Sequence, residues 1–134
     1  MMENVYTRGI IAGLVSVLGY LFGGLDAILM ALIAMMGIDF VTGLIKAATL
    51  KEVTSQKMFT GGARKIGMLL IVAVANLIDG VLELGGVLRT ITIAYFIANE
   101  GISMLENWSL MGLPIPNRLK DVLLQLRDRG NKKE

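Results

Sequence analysis

Four long apolar segments are the feature of this sequence that most constrains its fold. They cover residues 9–22, 25–48, 66–84 and 87–108 of a 134-residue chain that is 54% hydrophobic. A helix needs about 20 predominantly apolar residues, at about 1.5 Å each, to cross the hydrocarbon core of a bilayer. The second segment meets that length, the first is shorter, and the last two contain polar residues. The segments predict an integral membrane protein.

The segments are predicted to be helices. None shows the alternation of apolar and polar residues that marks a strand, and each is longer than an ordinary strand. Glycine pairs at Gly23-Gly24, Gly61-Gly62 and Gly85-Gly86 lie at segment edges, where helices are expected to break. We therefore predict an all-α fold in which residues 1–134 form a single domain.

The basic residues predict the topology. If all four segments span the membrane, Arg8, the 46–65 region and the C-terminal tail lie on one side, and of the 13 Lys and Arg residues only Arg89 lies on the other. The positive-inside rule makes the basic side cytoplasmic, which places both termini there. A three-span alternative stays open, in which residues 9–38 form one long tilted or broken element and the N-terminus moves outside.

A short amphipathic helix is predicted after the fourth segment, over residues 117–130. Asn117 is a candidate N-cap, and Leu119, Val122, Leu123 and Leu126 recur at helical spacing, with charged residues on the other faces. We expect this helix on the cytoplasmic side, as a surface-lying membrane anchor or a self-association helix. A helix that binds a specific partner is the alternative.

Polar residues inside the apolar segments fall on helix faces, because their spacing follows intervals of three, four and seven residues. The candidate set for pore lining and assembly is Asp39, Thr42, Gly43, Lys46, Asn76, Asp79, Glu83, Glu100, Ser103, Glu106 and Asn107. A charged side chain facing lipid at mid-bilayer costs about 2.5–3.5 kcal/mol or more. These groups must therefore face one another, water or the headgroups.

Two interpretations of these polar faces stay open. In the first, the groups satisfy each other inside a small helical bundle, with Asp39 and Lys46, or Arg89 and either Glu83 or Glu100, as candidate ion pairs. In the second, they line an oligomeric pore. One chain has too few helices to enclose a wide path, so a wide pore implies many copies.

Enzymatic functions are disfavoured by composition. The chain has no Cys and no His, which excludes a cysteine nucleophile and removes the commonest general base and the commonest metal ligand. No phosphate-binding loop is present, since Gly61-Gly62-Ala63-Arg64-Lys65 lacks that spacing. The net charge of +2 gives no global basic field. We therefore expect no catalytic residue, no metal, no cofactor and no nucleic-acid partner.

Two motifs resemble one known family. The run from Asp39 through Thr42, Gly43 and Lys46 to Ala47 is similar to a signature of the toxin-secretion/phage-lysis holin family. The similarity continues through Thr54-Ser55, Gly61, Lys65 and Asp79 to residues 100–107 and 112–116. The pair of motifs is more specific than either alone, and the similarity covers roughly residues 20–126.

The resemblance implies a function. Members of that family accumulate in the bacterial cytoplasmic membrane as homo-oligomers and open lesions, through which an endolysin or, in clostridial relatives, a toxin leaves. It thus implies the lipid bilayer and other copies of the chain as partners, with an antiholin as a further candidate partner. Two alternatives stay open: a small oligomeric ion channel or transporter, and an antiholin that assembles without opening a pore.

Overall fold

A computed structural model describes residues 1–131, and over that range the regular secondary structure is entirely helical. The five helices are α1 (Met2–Phe22), α2 (Ala27–Thr49), α3 (Ser55–Leu82), α4 (Val87–Leu110) and α5 (Asn117–Asn131). The predicted all-α fold is confirmed. Helices α1, α2 and α3 are each long and apolar enough to cross a membrane.

The helix boundaries are set by local chemistry. Asp26 caps α2 by accepting a hydrogen bond from the Leu29 amide (3.2 Å), and Thr54 caps α3 by accepting one from the Lys57 amide (3.2 Å). Gly23 ends α1 in the left-handed conformation. Gly24 also has a positive φ, of 99°. Residues 9–38 therefore belong to two helices, which are separated by a turn with a cap on each side.

Two helices begin earlier than their apolar segments. Helix α1 starts at Met2 and α3 at Ser55, whereas the apolar segments start at residues 9 and 66. The added turns contain charged residues such as Arg8 and Lys57. A hydropathy criterion leaves these residues out of the apolar segments, although lysine and arginine are good helix formers.

Consecutive helices run in opposite directions from α1 to α4. The side chains of Asn76 and Arg89 donate hydrogen bonds to carbonyl oxygens at the C-terminal end of α1. The C-terminal ends of α1 and α3 therefore lie beside the N-terminal ends of α2 and α4. We call the end of the bundle where these four helix ends meet the Asp26 end. The other half of the bundle, from the contact of Lys65 with Asp39 to the α2–α3 connection, is called the Asp39 end.

Helix α4 is the central element, because it packs against α2, α3 and α5. The core between them is formed by Leu29, Leu32, Met36, Met68, Val72, Ile93 and Phe96. Helix α1 lies beside α3, contacts α4 only at its C-terminal end, and contributes no buried residue within the described range 1–131. The outer sides of α1, α2 and α3 are rich in exposed Leu, Ile and Val, as expected for surfaces in contact with lipid.

Helix α5 folds back along α4 as far as Tyr95. Leu123 is buried in the space that a side chain at Gly101 would fill, since a Cβ there would lie 2.8 Å from both Leu123 methyl carbons. Gly130 approaches the Tyr95 ring in the same way. Leu119 and Val122, which share the predicted apolar face, remain exposed. The buried side of α5 thus lies on α4.

Gly23 provides a test of the Asp26 end. Its φ is 75°, and a Cβ at this position would overlap the Asn76 Oδ1 and lie 2.9 Å from the Arg89 Nε. We expect Gly23→Ala to destabilise the protein by about 2–4 kcal/mol, because left-handed strain adds to displaced hydrogen bonds. Thermal unfolding in detergent measures this. Gly24→Ala, with the same kind of strain but open space around the Cβ, should cost clearly less; equal costs would contradict the crowding.

Candidate functional site

Most of the polar residues predicted from the sequence separate into two clusters, one at the Asp26 end and one near the middle of α2 and α4, toward the Asp39 end. Those of α2 and α4 gather at the Asp39 end, around Asp39, Thr42, Glu100 and Asn107. Those of α3, Asn76 and Asp79, lie at the Asp26 end. No buried side-chain nitrogen or oxygen of residues 1–131 lacks a hydrogen-bond partner.

The Asp39-end cluster is organised by Lys65. Its Nζ lies 2.8 Å from the Asp39 Oδ2 and also contacts the Glu100 Oε2, so one ammonium joins α2, α3 and α4. The Asn107 amide donates to the Thr42 hydroxyl (3.2 Å) and to Asp39 (3.4 Å). One cation is thus shared by two carboxylates that are largely shielded from solvent, with side-chain exposures of 14% for Asp39 and 7% for Glu100.

The Asp26-end cluster is organised by Arg89, which is 6% exposed. Its guanidinium forms a bidentate pair with Asp26 (2.7 and 3.0 Å) and donates to the carbonyls of Phe22 and Gly24. Hydrogen bonding from Arg89 lowers the pKa of the Asp26 carboxyl below its usual value of 3.8, against an opposing effect of partial burial. Arg89 therefore fastens the α1–α2 turn to the start of α4.

Asp79 has a different role at this end. Its carboxylate accepts hydrogen bonds from the Leu88 amide (3.0 Å) and the Arg89 amide (2.6 Å), which have no partners within the first turn of α4. A carboxylate at a helix N-terminus is also favoured by the helix dipole. Asp79, on α3, therefore acts as the side-chain cap of α4, whose own N-cap residue is Gly86.

The ion pairs expected from the sequence are wrong. Asp39 pairs with Lys65 instead of Lys46, and Arg89 pairs with Asp26 instead of Glu83 or Glu100. Residues seven apart on one helix are separated by about 10 Å along its axis. Packing of neighbouring helices instead brings together residues that lie at the same level along the axis of the bundle.

The remaining predicted residues occupy more open positions. Gly43 packs beside the Asn107 amide, with a virtual Cβ 3.7 Å from its Nδ2. Lys46 and Ser103 line a cavity of about 710 Å³ between α2, α3 and α4 at the Asp39 end. Glu83, the left-handed residue that ends α3, and Glu106 are exposed.

Lys65 is the functional candidate that the polar-stripe analysis missed. It lies 11 and 14 residues before Asn76 and Asp79, so it continues the same face of α3, with the buried Val72 between them. That spacing was the available signal. It was hidden because Lys65 lies just outside the apolar segment and looks like an interfacial anchor.

The fold and the two clusters define a class of protein: a small multi-pass membrane protein with apolar outer helices and ion pairs inside. Within that class, the chain belongs to the bacteriophage holin family, whose model matches residues 16–128. The resemblance seen in the sequence motifs is confirmed. The family is one of non-enzymatic, pore-forming membrane proteins, so the chain is not an enzyme.

Several relatives are similar over most of their length. A protein of Bacillus phage phi105 named a probable holin is 39% identical over 114 residues, which cover 85% of this chain and 84% of the relative. An uncharacterised protein of Listeria innocua is 38% identical over 123 residues, covering 92% and 87%. An uncharacterised 14.9 kDa protein of Clostridium perfringens is 36% identical over 131 residues, covering 96% and 99%. No solved structure matches the chain.

Proposed function

We propose that this protein is a holin that oligomerises in the bacterial cytoplasmic membrane and opens lesions wide enough for a folded endolysin or a toxin. The family match and the phage relative named a probable holin support this function. The observation that carries the mechanism is that a bundle with apolar outer helices has one strongly charged side, formed by α5.

The proposed topology has four spans, α1 to α4, with the N-terminus and the α4–α5 connection on the cytoplasmic side, from which α5 folds back along α4. The alternating directions of the helices support it, as does the clustering of Lys and Arg at the Asp39 end. Helix α4 does not qualify as a span by composition alone. Because α2, α3 and α5 pack around it, its polar residues need not face lipid.

The position of α5 implies that this side of the bundle faces water. Leu123 lies beside Gly101 and Gly130 beside Tyr95, so α5 reaches about 22 Å back from Leu110 along α4. Its outer side exposes Lys120, Asp121, Asp128 and Arg129. Placing such charges against lipid would cost about 2.5–3.5 kcal/mol each. In an oligomer, this side is therefore the one we assign to the aqueous opening.

The two clusters suggest how closed and open assemblies could have similar free energies. Asp26 and Asp39 are separated by about 20 Å along α2, less than the roughly 30 Å of hydrocarbon. At least one cluster therefore lies within the hydrocarbon region of the bilayer, where its polar groups must either pair with one another or be hydrated. In the closed state they are paired within the bundle; on opening, the Asp39-end cluster and its cavity become part of the wetted wall, which shifts a two-state equilibrium.

Induced expression in bacteria with and without a cytoplasmic endolysin tests the function. We expect abrupt growth arrest, followed by lysis only when the endolysin is present. Leakage of ions without passage of the enzyme would indicate a narrow channel or transporter instead. Membrane accumulation without either effect, together with delayed lysis by a second holin, would indicate an antiholin.

Single cysteines test the water-facing side, because the chain contains no Cys of its own. In the same cells, Asp128→Cys on α5 should react with a membrane-impermeant maleimide after triggering. Leu70→Cys, on the exposed apolar side of α3, should stay unlabelled. Labelling of both positions, or of Leu70→Cys alone, would contradict the assignment of α5 to the aqueous side.

A further inference from the structure

The cavity at the Asp39 end has features beyond those that a pore wall requires. Its volume is about 710 Å³, and it lies between α2, α3 and α4. Part of its lining is apolar, including Phe40, Leu44, Met68 and Phe96. The rest is charged, with four Lys or Arg side chains and three carboxylates. The cavity is thus amphipathic, like a molecule with a polar head and an apolar body.

Two of the four basic side chains that line the cavity take no part in its ion pairs. Lys65 is held by Asp39 and Glu100, while Lys57 lies 3.2 Å from Glu52. All three carboxylates of the lining are therefore engaged. The side chains of Lys46 on α2 and Arg64 on α3 also line the cavity, and neither forms an ion pair or hydrogen bond with any residue from 1 to 131.

The surroundings of these two cations identify the ligand chemistry. The helices that carry them have exposed apolar outer sides, with Ile45 on α2 and Ile66 on α3. The connection between these helices contains the charged residues Lys51 and Glu52. Such a change from apolar to polar surface is expected where acyl chains give way to phosphates. Basic pockets between membrane helices on the cytoplasmic side bind anionic lipid headgroups.

We propose that this cavity binds the phosphate headgroup of an anionic phospholipid. Lys46 and Arg64 contact the phosphate oxygens from two different helices, and the guanidinium of Arg64 is suited to bidentate contact. The glycerol and the first acyl carbons lie against the apolar lining. Binding does not depend on the proposed function, but its consequence does: a lipid that bridges α2 and α3 stabilises the closed bundle by mass action and delays opening.

Lipid binding by the purified full-length chain tests this proposal. The protein in detergent is titrated with phosphatidylglycerol, with phosphatidylcholine, and with inorganic phosphate at matched phosphate concentration, and bound lipid is counted by native mass spectrometry. The double variant Lys46→Gln/Arg64→Gln is compared with Lys51→Gln/Lys120→Gln, which removes the same charge from residues outside the cavity. Helical content and thermal unfolding in phosphatidylcholine confirm that both variants are folded.

We expect wild type and the control variant to bind phosphatidylglycerol in preference to phosphatidylcholine. Each basic side chain near an anionic lipid contributes on the order of a fivefold change in affinity, so the Lys46→Gln/Arg64→Gln variant should bind on the order of 30-fold more weakly. Equal weakening in the two double variants would show a diffuse charge effect and overturn the site. Equal affinity of wild type for the two lipids would overturn it too. Inorganic phosphate that displaces the lipid at matched concentration would identify a free phosphate as the ligand and overturn the lipid.

Discussion

Replacing Lys65 with methionine should destabilise the folded protein by about 3–5 kcal/mol, the largest effect expected of any single substitution in this chain. The lysine is the cation shared by Asp39 and Glu100. Removing one member of a buried ion pair leaves an uncompensated charge behind, and here two carboxylates are left facing each other. Thermal unfolding in detergent measures the loss, and accumulation in the membrane should fall with it.

Lys57→Met is the matched control for this prediction. Lys57 is also on α3 and also pairs with a glutamate, Glu52, but the side chains are 63% and 57% exposed. Exposed pairs contribute between about 0 and 1 kcal/mol, so this variant should behave nearly as wild type. The triple variant Lys65→Met, Asp39→Asn, Glu100→Gln should recover most of the stability, since it removes the stranded charges as well. A triple variant as unstable as Lys65→Met would show that packing, and not charge, accounts for the effect.

Replacing Arg89 with methionine should cost about 3 kcal/mol. The substitution removes the bidentate pair with Asp26 and leaves the Phe22 and Gly24 carbonyls without their guanidinium donor. The cost should be lower than for Lys65, because the Asp26 side chain is 48% exposed and can be solvated by water. The α1–α2 turn should loosen, which accelerated proteolysis near residues 23–26 would report.

Two further variants separate the geometry of Arg89 from its charge. Arg89→Lys keeps the charge but has one compact ammonium in place of a planar fork. It should restore the pair with Asp26 and fewer of the carbonyl contacts, which places its stability between wild type and Arg89→Met. Arg118→Met, at an exposed position on α5, should change little. Wild-type stability for Arg89→Met would contradict the proposed fastening of the turn.

The helices themselves could be predicted from local properties of the sequence. Long apolar runs, the caps at Asp26 and Thr54, and glycine at the end of α1 determine where helices form, because these effects act within one or two turns. Even the earlier start of α3 follows from local helix propensity once hydropathy is set aside. The family motifs could also be recognised in the sequence, since they are residue patterns.

The partners of the buried charges could not be predicted this way. Spacing placed Asp39 and Glu100 on polar faces, but it could not show that Lys65 from a third helix would lie between them. Likewise, Asp26 and Arg89 are 63 residues apart, and only the meeting of the helix ends at one side of the bundle makes them neighbours. Ion pairing depends on a few ångströms between helices, and those distances follow from packing of the whole core.

The four apolar segments of the sequence were sufficient to determine that this is a helical membrane protein. They did not determine which helix would be central. Helix α4 contains more polar residues than the first three, yet it lies between α2, α3 and α5 because its neighbours shield those groups and pair with them. Hydropathy describes how well each helix, taken alone, is accommodated by water or by lipid. The tertiary structure decides which helix surfaces contact water or lipid and which are buried against other helices.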